Sequence, residues 1–279
     1  MSLKARSFPT SPLSILMFVT AGLLFASCAK DDQQAAIYVE RPIEIIYNDA
    51  WKQVTAKNWL EAGRQFDEVE RQHPYSIWAR RAILMSAYCY YAGNRFPESI
   101  EASERFISLH PGNKDVPYAY YLKSVSLYEQ INDVERDQQK TEEALTALQD
   151  LIQRFPDTEY ARDARLKVDL TRDHLAGKEM TVGRFYLRQG EYVAAINRFH
   201  TVIDKYQTTN HAPEALERLT EAYMALGVVK EAQTAAAVLG YNYPGTGWYR
   251  DAYALLTERN IAPTEDKESW ISKAFRAVF

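Results

Sequence analysis

This 279-residue chain contains few cysteines and histidines and has a small net charge. Two Cys exclude a disulfide scaffold, and the ordinary overall composition excludes collagen-like and largely disordered proteins. The formal net charge is −4, so the chain lacks the basic surface that holds a nucleic-acid backbone, and we expect no nucleic-acid partner. What is abundant is aromatic: 19 Tyr, 11 Phe and 5 Trp stand beside only 5 His. Such rings suit helix packing and partner surfaces better than acid/base chemistry.

Catalytic motifs are also missing from the sequence. It contains no Gly-x-Ser-x-Gly, no phosphate loop ending in Gly-Lys-Ser or Gly-Lys-Thr, and no His-Glu-x-x-His. His174, His200 and His211 have no His or Cys at the spacing that would place two ligands on one helical face. We therefore predict that the protein is not an enzyme and binds no metal.

The N-terminus has the pattern of a targeting segment. After a basic start, residues 13–25 form an apolar run that is too short for a bilayer core, which needs about 20 apolar residues. The run ends in Phe25-Ala26-Ser27-Cys28, which resembles the bacterial lipobox, although that pattern usually has Leu where Phe25 stands. The resemblance implies cleavage before Cys28 and a covalent lipid on it, and no other cofactor is expected. Cys89, the other cysteine, is interpreted as a small core residue.

Internal repetition is the main signal in the rest of the chain. The tetratricopeptide (TPR) pattern places a small residue where two helices cross, a large apolar residue one turn later and Pro where the second helix ends. Ala62, Phe66 and Pro74 fit it in full. The same spacing recurs four times: Ser99/Ser103/Pro111, Ala144/Leu148/Pro156, Ala195/Phe199/Gln207 and Ala232/Ala236/Pro244. Such units stack into a superhelix with a concave inner surface, so we predict an all-α fold.

The residues that end one helix and begin the next support this interpretation. Ser76 and Thr158 follow a repeat-ending Pro and are predicted to cap the next helix, and Thr209 has the equivalent place after Gln207. The spacing between units exceeds the 34 residues of a regular TPR. We expect the charged stretch 132–140 and a long helix around residues 166–177 to absorb the excess.

The predicted organisation has four parts. A lipoprotein signal peptide covers 1–27, a lipidated cysteine and flexible tether cover 28–41, a TPR superhelix covers 42–257, and an amphipathic tail covers 258–279. The five repeats are expected at about 42–75, 76–112, 116–157, 158–208 and 209–245, followed by one more helix. In the tail, Ile271, Ala274, Phe275 and Val278 recur at helical spacing beside Trp270. We interpret the tail as a cap, with docking of an accessory subunit or contact with a membrane as alternatives.

Several stretches are more specific than a TPR requires. They are residues 66–82 (FDEVERQHPYSIWARRA), 116–123 (VPYAYYLK), 136–138 (RDQ) and 182–198 (VGRFYLRQGEYVAAINR). With the lipobox and five TPR-like units, they resemble the BamD family, the lipoproteins of the β-barrel assembly (BAM) machinery in Gram-negative outer membranes. The resemblance covers essentially the whole mature chain and is greatest to the alphaproteobacterial form.

The resemblance implies a scaffold on the periplasmic face of the outer membrane. It would bind the POTRA domains of a BamA-like barrel protein through its C-terminal repeats, with Arg188 and Arg198 as the family-like contacts, and would join other BAM lipoproteins. Its N-terminal repeats would help receive unfolded outer-membrane proteins, which end in a strand closing with an aromatic residue. Tyr118 and Tyr121 are the tyrosines that we expect in that groove, while most of the others are expected to pack between helices.

Two other functions are compatible with parts of the sequence. A periplasmic TPR lipoprotein that serves cell-wall or division complexes would share the anchor and the fold but not the barrel partner. An enzyme such as a peptidoglycan hydrolase would need a specific catalytic Glu or Asp, and the sequence nominates none.

Overall fold

The computed structural model describes residues 40–277, and within that range it consists of α-helices joined by turns. The predicted signal peptide, Cys28, the tether as far as residue 39, and Val278 lie outside the described residues. The helices are α1 (Ile43–Thr55), α2 (Trp59–Gln72), α3 (Ile77–Ala92), α4 (Phe96–Leu109), α5 (Val116–Tyr128), α6 (Gln139–Arg154), α7 (Glu159–Arg188), α8 (Tyr192–Lys205), α9 (Ala212–Leu226), α10 (Val229–Asn242), α11 (Gly247–Thr257) and α12 (Trp270–Arg276).

The helices form a TPR-like stack of pairs. From α1 to α11, each helix packs on the next one along the chain. The odd-numbered helices, here called A helices, also contact one another in series, whereas no two of the even-numbered B helices α2 to α10 do so within residues 40–277. The A helices therefore line the inner side of the stack and the B helices the outer side. This architecture confirms the predicted all-α repeat fold.

The stack has two edges, which are used below. Each A helix begins, and the preceding B helix ends, at what we call the BA edge, which carries the turns before α3, α5, α7, α9 and α11. Each A helix ends and its B partner begins at the AB edge. Because the helices from α1 to α6 have 13 to 16 residues, the two edges are about 20 Å apart in that part of the stack.

The predicted register of the B helices is confirmed by burial. The five small residues and the five residues one turn later are all buried: Ala62, Phe66, Ser99, Ser103, Ala144, Leu148, Ala195, Phe199, Ala232 and Ala236. At the larger of these positions, Phe66, Leu148 and Phe199 fill the space between helices. The smaller residues allow the neighbouring helices to approach, as the pattern requires.

Two of the three predicted helix caps are present. The Ser76 hydroxyl accepts a hydrogen bond from the Ala79 amide at 3.0 Å, and the Thr158 hydroxyl accepts one from the Ala161 amide at 3.2 Å. The prediction for Thr209 was wrong, because α9 begins three residues later and the Thr209 hydroxyl donates to the Tyr206 carbonyl instead. Pro213 in the first turn of α9 supplies the start signal, since its fixed φ suits a position whose amide has no intrahelical partner.

The longest helix joins the two halves of the stack. With 30 residues, α7 is about 45 Å long. Ala164 and Val168 in its first half pack in the cluster of α6, and Ala176 and Met180 in its second half pack in the cluster of α8. Together with the turn between α5 and α6, from residue 129 to 138, this helix accounts for the long spacing between repeats.

The C-terminal segment packs back on the B helices of the last two repeats. The Trp270 ring stacks on His200 with centroids 3.9 Å apart, and its Nε1 donates to the Tyr223 hydroxyl at 3.3 Å. Ile271 and Phe275 are buried in the same core. This packing agrees with the interpretation of the tail as a cap. None of the helices within residues 40–277 has the length and apolarity needed to cross a membrane.

Candidate functional site

Tyrosines from three A helices (α3, α5 and the start of α7) meet on the inner side of the N-terminal half, which comprises α1 to α6. Tyr88 and Tyr91 on α3 and Tyr118 on α5 pack around the buried Ala87 and its neighbours. The next A helix contributes Tyr160, whose ring lies 5.5 Å from that of Tyr118 and 5.2 Å from that of Tyr121, measured between centroids. Aromatic rings at these distances attract one another and hold the A helices in register.

Tyr118 and Tyr121, the two predicted groove residues, differ in their surroundings. Tyr118 is largely buried and also lines a cleft described below. Tyr121 lies one turn further along α5, and its hydroxyl donates to Asp163 Oδ2 of α7 at 2.9 Å. Burial raises the pKa of both phenols, and at Tyr121 the hydrogen bond to Asp163 adds to that effect. Both side chains are therefore neutral throughout the physiological range.

The cleft lies where the inner side meets the BA edge. It has a volume of about 460 Å³ and is bounded by α1, α3 and the turn between α4 and α5. Tyr47 and Tyr118 supply aromatic walls. Arg80, Arg81 and Lys114 supply positive charge, against one carboxylate in the lining, that of Asp115. A cleft with rings and cations suits a ligand that carries both an apolar ring and a carboxylate. Sequence reasoning missed the three cations, although the adjacent arginines in the first turns of α3 were visible.

Arg188, the first predicted partner contact, lies at an edge that also carries exposed apolar side chains. It is the last residue of α7 and is exposed at the AB edge. Exposed hydrophobic side chains flank it in sequence or occupy the next AB turn of the stack: Phe185, Val193, Leu226 and Val228. We call these four residues with Arg188 the AB patch. Apolar side chains around a central arginine are typical of protein interfaces.

Arg198, the second predicted contact, is held within the chain. Its Nη1 lies 3.2 Å from Glu179 Oε2, which connects α8 to α7. Glu179 precedes Arg188 by nine residues on the same helix, which corresponds to about 13 Å along α7. The guanidinium of Arg198, which pairs with Glu179, is therefore separated from Arg188 by about that distance. The fold therefore does not bring Arg188 and Arg198 together at one point.

The inner side of the C-terminal half (α7 to α12) carries charged side chains, whereas the inner side of the N-terminal half carries aromatic ones. Arg184 Nη1 bonds both carboxylate oxygens of Glu214, at 3.1 and 3.0 Å. Next to them, Glu217 is buried, and burial raises its pKa to about 7 despite Arg218 Nε at 3.2 Å from Oε2. Sequence reasoning missed this cluster. The feature that could have revealed it is Glu217, a carboxylate next to Leu216 in the otherwise largely apolar helix α9.

The described part of the chain contains neither a cluster of metal ligands nor a reactive cysteine. No set of His, Cys, Asp and Glu side chains between residues 40 and 277 could hold a metal ion. Burial raises the pKa of the Cys89 thiol to about 12, so this cysteine is a poor nucleophile.

Comparison with known proteins gives consistent similarities. Residues 40–239 match the family YfiO, described as outer membrane lipoprotein. Three curated proteins named outer membrane protein assembly factor BamD are similar to the chain. The one from Caulobacter vibrioides is 51% identical over 92% of this chain and 85% of its own length. Those from Rickettsia prowazekii and Neisseria meningitidis serogroup A are 44% and 33% identical, over 88% and 86% of this chain and 97% and 94% of their own.

The order of these identities agrees with the predicted resemblance to the alphaproteobacterial form. The Caulobacter and Rickettsia proteins are both more similar to this chain than the Neisseria protein is.

Proposed function

The chain belongs to the YfiO family of outer membrane lipoproteins, which includes the BamD assembly factors, and from this premise we propose that it is an assembly factor for outer-membrane proteins. In this proposal it is a non-catalytic scaffold. Its N-terminal repeats receive the unfolded protein, and its C-terminal repeats bind the POTRA domains of a BamA-like subunit, in a complex with other BAM lipoproteins.

The membrane attachment is a covalent lipid on Cys28. Acyl chains contribute about 0.8 kcal/mol per buried CH₂, so a multiply acylated cysteine anchors a protein without a spanning helix. The protein then faces the periplasm from the inner leaflet of the outer membrane. Mass spectrometry of the mature N-terminal peptide tests this, since it should begin at acylated Cys28.

The observation that carries the proposal is the cleft beside Tyr118. An unfolded outer-membrane protein that ends in an aromatic residue offers a ring and a terminal carboxylate on the same residue. Tyr47 and Tyr118 can contact the ring, and Arg80, Arg81 and Lys114 can contact the carboxylate. The volume of about 460 Å³ accommodates such a residue and its neighbour.

Peptide binding tests this assignment. We expect a peptide ending in Phe with a free carboxylate to bind more tightly than its C-terminal amide or its Ala-ended form. Tyr118→Ala combined with Tyr121→Ala should weaken binding by up to about tenfold, because an aromatic contact such as that of Tyr118 contributes about 0.5–1.5 kcal/mol. The control is Tyr118→Phe with Tyr121→Phe, which keeps both rings and should bind normally. Equal affinity of the wild type and the double Ala variant would refute the role of these tyrosines.

The cations are tested with the same peptides. The variant Arg80→Gln/Arg81→Gln/Lys114→Gln should bind the free acid and the amide equally, because it has lost the charge that distinguishes them. If the variant still prefers the free acid, the carboxylate is bound elsewhere.

The POTRA contact is proposed for the AB patch. Arg188 has exposed apolar side chains around it, and such a combination concentrates binding energy in few residues. Arg198 is proposed as a second contact at the rim, where Glu179 orients its guanidinium. Both are charged groups suited to carboxylates on the partner.

Affinity purification from detergent-solubilised outer membranes tests this contact. We expect a POTRA-containing barrel protein to co-purify with the wild type and to be lost with Arg188→Glu. Arg198→Glu should weaken capture less, and Glu179→Gln controls for the loss of its internal ion pair. Recovery of cell-wall or division proteins without any barrel protein would favour the alternative scaffold instead.

A further inference from the structure

The large hydrophobic side chains that are exposed in the N-terminal half are gathered at one edge. Ile45, Tyr75, Ile77 and Leu109 are 51%, 101%, 68% and 56% exposed. Ile45 is in the first turn of α1, Tyr75 and Ile77 adjoin the turn between α2 and α3, and Leu109 ends α4. All four therefore lie at the BA edge, and in α1 to α5 the one other such side chain is Trp51, in the second half of α1.

The same edge is the one from which the chain leads back to Cys28. Helix α1 begins at Ile43, and every A helix begins at the BA edge. The segment 28–41 has 14 residues and spans at most about 50 Å. A tether of this length keeps the edge at a high effective concentration near whatever holds Cys28, so even a weak contact would be occupied.

Three cations without an ion-pair partner in the described part of the chain lie at this edge, beside the carboxylates of Glu44 and Asp115, and they could face anionic headgroups. Arg80, Arg81 and Lys114 are exposed there, and within residues 40–277 none of the three forms an ion pair. Tyrosine and aliphatic side chains flanked by cations are typical of segments that rest in the interfacial region of a bilayer. Tyr75 in particular is fully exposed on a turn and makes no packing contribution that would explain an aromatic residue.

We propose that the BA edge of the first repeats rests on the lipid surface to which the chain is anchored. Ile45, Tyr75, Ile77 and Leu109 enter the interfacial region, and the neighbouring cations face anionic headgroups. The aromatic cleft opens at the same edge, so a bound peptide end would be held next to the membrane. This inference rests on the proposed anchor at Cys28 but not on the proposed peptide or POTRA contacts.

Depth-dependent fluorescence quenching tests the orientation. The lipidated protein, with Cys89→Ala, is reconstituted in phosphatidylethanolamine vesicles containing a minority of phosphatidylglycerol and spin-labelled lipid. An environment-sensitive dye is attached through Gly112→Cys, just after α4 at the BA edge, or through Pro97→Cys, in the first turn of α4 at the AB edge. We expect quenching at residue 112 to exceed that at residue 97 at least about threefold, because the two edges are about 20 Å apart.

A triple variant connects the orientation to three of these four side chains. Tyr75→Asn/Ile77→Asn/Leu109→Asn should reduce the ratio of quenching at the two positions towards one. The matched control, Phe185→Asn/Val193→Asn/Leu226→Asn in the AB patch, should leave the ratio unchanged. Circular dichroism and thermal denaturation, both measured in detergent, establish that each variant is folded.

The outcomes separate this proposal from the proposed function. Protein that floats with the vesicles but is quenched equally at residues 97 and 112 contradicts the membrane contact alone. Protein that does not float contradicts the anchor and, with it, the membrane contact. A ratio that is unaffected by the triple Asn variant assigns the orientation to other residues and overturns the role given to Tyr75, Ile77 and Leu109.

Discussion

The N-terminal half (α1 to α6) and the C-terminal half (α7 to α12) are built on one rule and present different surfaces. Ala62 and Phe66 in α2 have the same register and the same burial as Ala195 and Phe199 in α8. The inner sides nevertheless differ, with tyrosines in one half and the Arg184–Glu214 pair and Glu217 in the other. The buried faces of the B helices determine the stacking, which leaves the inner faces of the A helices free to carry function.

The two halves also differ in how their cores are connected. In the C-terminal half one continuous core extends from Ala176 to Phe275 and includes the tail. Four smaller clusters divide the rest of the stack, and the first of them lies around Phe66. A divided core allows one end to open without the other, so we expect the N-terminal repeats to be the more adaptable half.

The largest expected effect concerns these cores. Phe66→Ala and Phe199→Ala should each lower the free energy of unfolding by about 3–5 kcal/mol. Hydrogen exchange should distinguish them: Phe66→Ala should expose mainly α1 to α3, whereas Phe199→Ala should reduce protection from α7 to α12. Loss of protection over the whole chain in both variants would show that the core is not divided.

The second effect is the pH dependence of the C-terminal half. Because burial raises the pKa of Glu217 from 4.5 to about 7, the folded state holds a proton that the unfolded state releases. The cost of burying this carboxyl therefore grows as the pH rises from about 4.5 to about 7 and is constant above that. Glu217→Gln should raise the free energy of unfolding by up to about 3 kcal/mol at pH 8 and hardly change it at pH 4.5.

Denaturant titrations across this pH range measure the effect. The comparison in the N-terminal half is Tyr121→Phe. The titration of this phenol should add no pH dependence up to about 9, since the ordinary pKa of tyrosine, about 10, and the raised pKa of Tyr121 both lie above that range. A Glu217→Gln effect that is the same at pH 4.5 and pH 8 would contradict the burial argument.

The third effect tests how closely α7 and α8 approach. A Cβ atom at Gly183 would lie 2.5 Å from Phe199 Cε1, a ring enclosed in the continuous core. Gly183→Ala should therefore cost about 1–3 kcal/mol through overpacking. At Gly245, a Cβ atom would have no neighbour within 4 Å. Thermal denaturation should show a clear loss of stability for Gly183→Ala and almost none for Gly245→Ala. An equally small loss in both variants would mean that α8 can shift away from α7.

The smallest effect concerns the start of the helix that joins the halves. Thr158→Ala removes the cap of α7 and should cost about 1 kcal/mol, which lowers the melting temperature by about 2–4 °C in a domain of this size. Thr209→Ala, at the equivalent place before α9, should cost less because Thr209 is not a cap. A larger loss for Thr209→Ala would mean that the start of α9 depends on it.

Much of the fold was predictable because its signals are local. The small residue, the large residue one turn later and the terminal Pro are read along a single helix, and all ten buried B-helix positions followed from them. Thr209 was predicted wrongly because the repeat lacks its Pro at residue 207 and the helix starts later, at Ala212, with Pro213 in its first turn. The boundaries of the signal peptide, the tether and the tail stay predictions.

The candidate site was predicted only in part. Tyr118 lines the cleft, while Tyr121 turns its hydroxyl to Asp163 on α7, and residues 118 and 121 on α5 alone could not reveal that difference. Arg80, Arg81 and Lys114 were missed because they belong to two segments that only the stacking of α3 against α5 brings together. Their roles, like those of Arg188, Arg198 and Cys28, stay predictions.

The sequence by itself determined the helix register and the family, since both depend on residue types at fixed separations along the chain. Only the tertiary structure decided which side chains share a surface. That depends on which turns lie at the same edge of the stack. The exposed apolar residues of the first repeats lie at the BA edge, whereas those near Arg188, at the end of α7, lie at the AB edge. The physical reason is that an exposed residue's neighbours are chosen by packing between helices, and packing sums contacts that are distant in sequence.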